Sequence, residues 1–149
     1  MINVEGLAGD RLYLDTNVII YFVEGHLKYR PLLELLFEAI DGNALGAVTS
    51  ELSLAEVLVK PLIERNSDVV QVYTGLLSSG SHLSVASIDR ATLVRSAELR
   101  AQLGCRAFDA IHLATAGLAD CDYFLTEDMR IRTPEGLRLL HLSELLAPE

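Results

Sequence analysis

Four acidic residues stand where a charge is costly. Asp15 closes the apolar run Leu12-Tyr13-Leu14, Glu56 and Asp109 fall inside apolar helical stretches, and Asp128 comes soon after Tyr123-Phe124-Leu125. Ionised carboxylates withdrawn from water cost several kcal/mol unless they are paired or bind a metal. The pattern points to a metal site.

Helical periodicity turns two of the four inward. Leu52 and Val59 lie four before and three after Glu56, which places it in an apolar stripe, and Asp109 shares its face with Leu113 and Ala116. Each acid also has a plainer reading. Asp15 can cap the helix that starts at Thr16, and Ser53 with Glu56 matches a Ser-x-x-Glu capping box. Asp109 can serve the first turn of its helix. Asp128, between Thr126-Glu127 and Met129-Arg130-Ile131-Arg132, can be a solvated loop residue. The combination of all four favours the metal.

The elements that must position these side chains follow from periodicity and punctuation. Short buried strands are predicted at Leu12 to Leu14, Ala44 to Val48, Leu83 to Ile88, Tyr123 to Leu125 and Leu137 to Leu142. Helices are predicted at Thr16 to Val23, Pro31 to Asp41, Ser50 to Arg65, Asp68 to Leu77, Arg90 to Leu103 and Phe108 to Leu118. Alternation of strands and helices implies a three-layer α/β/α sandwich around a mostly parallel sheet. Ligands of such sheets bind beyond the carboxyl ends of the strands, where Asp15 and Asp128 fall. The cluster Ser78 to Ser81 reads as a turn within one domain spanning 1–149.

Composition bounds the rest. A chain of 149 residues buries about 70% of its unfolded surface as one domain. The longest apolar run, Val18 to Val23, is far short of the ~20 residues that span a bilayer. The start, Met1-Ile-Asn-Val-Glu-Gly, lacks the basic and apolar regions of a signal peptide. A soluble cytoplasmic protein with no membrane role is expected. Cys105 and Cys121 form no CxxC and have no histidines at ligand spacing, so they read as reduced structural thiols and argue against zinc.

Together, Leu14-Asp15-Thr16-Asn17, Ser50 to Glu56, Phe108 to Ala116 and Leu125-Thr126-Glu127-Asp128, in that order, resemble a PIN domain over nearly the whole chain. Within that superfamily the sequence is most similar to VapC-type toxin ribonucleases of toxin–antitoxin pairs, whose helix before the third acid is similar to Ala97 to Gly104. Two departures stand out. Some 14 residues precede the first acid, a longer N-terminal segment than such toxins often have. The fourth block carries Glu127 where Asn or Arg is common, which leaves Glu127 and Asp128 as alternatives for the fourth acid, with Asp128 favoured.

The resemblance implies that Asp15, Glu56, Asp109 and Asp128 are catalytic and hold Mg²⁺ or Mn²⁺, through one ion or two. Oxygen donors alone suit such hard cations. The activity implied is metal-assisted hydrolysis of RNA phosphodiester bonds by an endoribonuclease, leaving 5′-phosphate and 3′-hydroxyl ends. Thr16, Asn17, Ser50 and Thr126 are candidates to orient the carboxylates or waters around the metal, although each also suits a cap or a strand end. His112, three after Asp109, reads as a satisfied core histidine. Repulsion among the four charges is expected to raise some of their pKa values without metal.

The net charge of −9 opposes tight nucleic-acid binding, which rests on cations. Modest, metal-dependent RNA affinity is expected, helped by Arg130, Arg132 and Lys60 near the acids. The family also implies an antitoxin partner lying across the acidic groove, and a homodimer. Other readings are a housekeeping PIN nuclease acting in RNA processing or on DNA, and a PIN-shaped binding module without catalysis. A haloacid-dehalogenase-like phosphatase is disfavoured because Asn17 stands where it needs a second Asp.

Overall fold

The computed structural model describes residues 2–78 and 82–145. Five strands form one sheet: β1 (Arg11–Leu14), β2 (Gly46–Ser50), β3 (Leu83–Ala86), β4 (Tyr123–Thr126) and β5 (Arg138–His141). Their order is β3-β2-β1-β4-β5, and every pairing is parallel. The helices are α1 (Thr16–Glu24), α2 (Arg30–Asp41), α3 (Glu51–Ile63), α4 (Ser67–Leu76), α5 (Arg90–Leu103) and α6 (Ala107–Leu118).

Side-chain alternation along the strands divides the core in two. Leu12 and Leu14 of β1, with Tyr123 and Leu125 of β4, pack under α1 to α4. Tyr13 and Phe124, between them in sequence, face α5 and α6 through Leu99, Leu113 and Ala116. This is the three-layer α/β/α arrangement expected from the sequence.

Chain direction creates the site. From β1 the chain builds outward through β2 and β3, then returns to place β4 on the other side of β1. The carboxyl ends of β1 and β4 therefore flank the point where the winding reverses, the usual ligand position in parallel sheets. Leu12 aligns with Ala47 on one side and Tyr123 on the other. The backbone N–H of Asp15 still donates to Leu125 O, at 3.0 Å, so Asp15 starts α1 while tied to β4.

Several boundaries differ from those predicted. β2 starts at Gly46 and not Ala44, because Asn43 is left-handed (φ 59°) and Ala44 N–H bonds back to Ala39 O, so these residues unwind α2. α3 ends at Ile63, two residues before the left-handed Arg65 (φ 54°). β3 stops at Ala86, and Leu142 belongs to a short 3-10 turn, Leu142–Glu144, instead of β5. The N-terminal segment adds a 3-10 turn, Glu5–Leu7, that buries Leu7 completely, and Ile2 bridges to Leu145. The turn predicted at Ser78 to Ser81 lies, apart from Ser78, outside the described residues. No helix among the described residues is long and apolar enough to cross a membrane.

Candidate active site

Asp15 is the most buried of the four acids, at 7% exposure. It caps α1, with Oδ1 accepting the Thr16 N–H at 2.9 Å. Oδ2 accepts the Thr126 hydroxyl at 2.7 Å and the Asn17 amide at 3.3 Å. Capping and site-building are therefore one geometry, since the cap aims the second oxygen at the end of β4.

Thr126 and Asn17 carry that geometry to the fourth block. The Thr126 hydroxyl also accepts the Asp128 N–H at 3.0 Å and the Asn17 amide at 3.1 Å, while Asn17 Oδ1 accepts the Glu127 N–H at 3.1 Å. Glu127 and Asp128 part company here. The Glu127 carboxylate acts on Tyr29, whose hydroxyl is pushed up to about 12 first by burial and then by that neighbouring charge. Asp128 faces Arg130, which holds it through Nε at 3.0 Å and Nη2 at 3.1 Å. Arg106, the residue before α6, reaches Asp109 at 3.5 Å and Asp128 at 4.0 Å.

Glu56 joins from the other side. Thr16 donates its hydroxyl to Glu56 Oε1 at 2.9 Å, and His112 Nε2 lies 2.6 Å from the same oxygen. His112 is 2% exposed. Its Nδ1 bonds the hydroxyl of Tyr13, which burial keeps un-ionised. An ionised carboxylate only accepts, so Nε2 carries a proton and points it at Glu56. His112 is buried as expected, and its bond to Glu56 goes beyond the core role its sequence context suggests. Only its spacing from Asp109 along one helix face hinted at it.

One expectation needs correction. Val59 is 56% exposed, so the stripe that faces the core on α3 runs through Leu52, Ser53, Val57 and Pro61, with Glu56 half-buried on its margin. Ser50 accepts the Leu52 N–H at 3.0 Å as the cap of α3 and bonds none of the four carboxylates. That cap excludes the Ser53–Glu56 capping box. Ser53 instead bonds Thr16 at 3.1 Å and Thr49 at 2.9 Å, supporting Thr16 from below.

A family model for the PIN domain matches residues 12–137. The chain belongs to the PIN domain family. This is a family of nucleases that generally use divalent metal ions. Solved structures share the fold. A chain of VapBC2 from Rickettsia felis, bound to a DNA fragment from their promoter, superposes with a TM-score of 0.66 at 19% identity, covering 88% of this chain and 98% of its own. A toxin–antitoxin complex from Klebsiella pneumoniae gives 0.63 at 22% identity, over 85% and 94%. DNA-bound VapBC from Salmonella typhimurium gives 0.62 at 19%, over 95% and 99%. At these identities the likeness is one of fold. A comparison with curated proteins found no match.

The electrostatics of this PIN domain differ from simple mutual repulsion. The Asp15 carboxyl is raised, first by burial and only lastly by Asp109, against the lowering pull of His112, Thr126 and Thr16. At Glu56 burial pushes upward, but the bond and charge of His112 and the Thr16 hydroxyl outweigh it, so the value falls. Arg130 holds Asp128 low. Among the described residues no three acidic, histidine or cysteine side chains are gathered closely enough to hold a metal ion as they stand. The donors nevertheless fit a hard divalent cation. They are oxygens, and Asp15 is a carboxylate whose burial the protein's own bonds do not fully offset. A larger cleft of about 440 Å³, lined by Cys121, Asp122 and Gly136, contains none of the four acids.

Proposed function

We propose that this PIN domain, a single unit over residues 1–149, is a metal-dependent endoribonuclease and the toxin of a VapBC-type pair. The observation that carries the reading is a continuous chain of contacts linking four acids from four separate segments. Thr126 joins Asp15 to the backbone of Asp128, Arg106 spans Asp128 and Asp109, and Thr16 joins the Asp15 cap to Glu56. All of this lies at the carboxyl ends of β1 and β4.

Asp15, Glu56, Asp109 and Asp128 would hold Mg²⁺ or Mn²⁺, which when bound lowers the pKa of water and offsets charge on phosphoryl oxygens. The chain's own part is orientation. Thr16, Thr126 and Asn17 fix the two oxygens of Asp15, and His112 fixes one oxygen of Glu56, as supporting hydrogen bonds do in metal sites. RNA as the substrate, action in the cytoplasm and a homodimeric state come from the resemblance of the four blocks to VapC-type toxins. An antitoxin partner is supported by the fold neighbours, which are toxin–antitoxin complexes.

The test is cleavage of a mixed RNA by the purified protein with Mg²⁺ or Mn²⁺, with EDTA, and after Asp15→Asn, with the product ends analysed. Metal-dependent cutting that leaves 5′-phosphates and is lost in the variant is the expected result. If Mn²⁺ binds calorimetrically but RNA survives, the site stands and the substrate changes. If Mn²⁺ does not bind, the reading fails.

A further inference from the structure

We propose that Arg106 and Arg130 seat the RNA backbone: they rest on Asp109 and Asp128 in the free chain and exchange onto a substrate phosphate. The inference depends on the ribonuclease reading above and names the groups that would make it possible in a chain of net charge −9.

Such a chain can bind a polyanion only where its cations are concentrated. Of its twelve basic residues, Arg106, Arg130 and Arg132 all line one cleft of about 160 Å³, which Asp109 also borders. Arg132 is tied through Nη2 to the Leu103 carbonyl at the end of α5. On the Glu56 side, Lys60 is paired with Glu24 at 3.2 Å. The Arg106 and Arg130 side chains are 66% and 73% exposed, and among the described residues their only acidic partners are the acids assigned to the site.

The chemistry of the pairing makes exchange reasonable. Arg130 meets Asp128 with a two-point fork, and a guanidinium fork fits two phosphate oxygens as well as it fits a carboxylate. Exposed ion pairs are held weakly, so an incoming phosphate competes for the same donors. Arg106 lies between Asp109 and Asp128 and can make the same exchange. In the free chain the two arginines offset carboxylate repulsion, and in the complex they would fix the strand beside the acids.

The experiment measures binding of a fluorescent single-stranded RNA by anisotropy in EDTA across a salt series, with KM and kcat measured in Mn²⁺. Arg106→Ala and Arg130→Ala are each expected to weaken binding about tenfold. Together they should reduce the slope of log affinity against log salt by about 1.4, and raise KM more than they lower kcat. Lysine at both positions should retain the slope but recover only part of the affinity. Arg30→Ala removes an equally exposed arginine paired with Glu34 and calibrates the effect of general charge. If the double variant binds like Arg30→Ala and cuts RNA with unchanged KM, the inference fails while the nuclease reading stands. If the wild type neither binds nor cuts RNA, both fail.

Discussion

Nε2 of His112, on α6, lies 2.6 Å from Oε1 of Glu56, on α3, so the helix that bears the third acid sets the direction of the second. The imidazole is itself held by the buried Tyr13 hydroxyl on β1. His112→Ala would leave that hydroxyl without its partner and Glu56 with Thr16 alone. A loss of about 2 kcal/mol is expected, a fall in Tm of roughly 4–8 °C. Thermal unfolding of His112→Ala, Glu56→Ala and the double variant in EDTA checks this, with a coupling of about 1 kcal/mol expected. Strict additivity would show that the two side chains do not act together.

Asn17 supplies both an acceptor and a donor to the same corner, taking the Glu127 N–H while giving its amide hydrogens to Thr126 and Asp15. Asn17→Asp keeps the shape but turns a second carboxylate toward Asp15. The variant is expected to lose roughly 1–2 kcal/mol in EDTA at pH 7, and part of the deficit should return with Mn²⁺ because a cation offsets the added charge. Calorimetric melting with and without metal is the measurement. A variant as stable as wild type in EDTA would mean that the donated bonds contribute nothing.

What the sequence revealed about the fold depended on local signals. α5 runs from Arg90 to Leu103 as predicted, because Asp89 caps it and left-handed Gly104 ends it, and both devices are visible in the residues themselves. Ala44 reads as part of β2 because its apolar character resembles a strand, while its backbone bond is to α2. The turn at Glu5–Leu7 is too short to show a period. At the site, the residue types of the four acids and of Thr16, Asn17 and Thr126 could be read from the blocks. The bridge from His112 to Glu56 joins residues 56 positions apart, and no local pattern encodes it. Val59 shows the opposite error, since periodicity gives a face but not how far the neighbouring layer covers it.

Asp89 gives the fold a pH dependence separate from the site. Its carboxyl is lowered chiefly by the backbone N–H of Thr92 and then by the Thr92 hydroxyl. A depressed folded-state value means that the charged form stabilises the fold. That contribution is complete above the unfolded carboxyl value and is lost as pH falls through the folded one. Asp89→Ala should therefore lower Tm at pH 7, Asp89→Asn should lower it less, and the gap between wild type and Asp89→Ala should narrow in strong acid. Tm measured against pH decides, and a gap independent of pH would show that the cap acts without its charge.

Cys121 precedes β4 by two residues, at the end of that strand opposite Thr126, and the strand's four residues alone span about 10 Å. It cannot reach the acids, and its surroundings also make it inert. It is 6% exposed, and its thiol is pushed up to about 12 by burial, with Asp122 and Asp120 adding to the rise against Arg11. A thiol so far above neutrality supplies almost no thiolate, which is the reactive form. Iodoacetamide at pH 8 should therefore leave Cys121 unmodified in the folded protein and label it only after denaturation. Peptide mass mapping of the Cys121 peptide reads the result. Rapid labelling of Cys121 in the native state would mean that the end of β4 opens freely, and that the core of Tyr13, Phe124 and Leu113 is less closed than the packing implies.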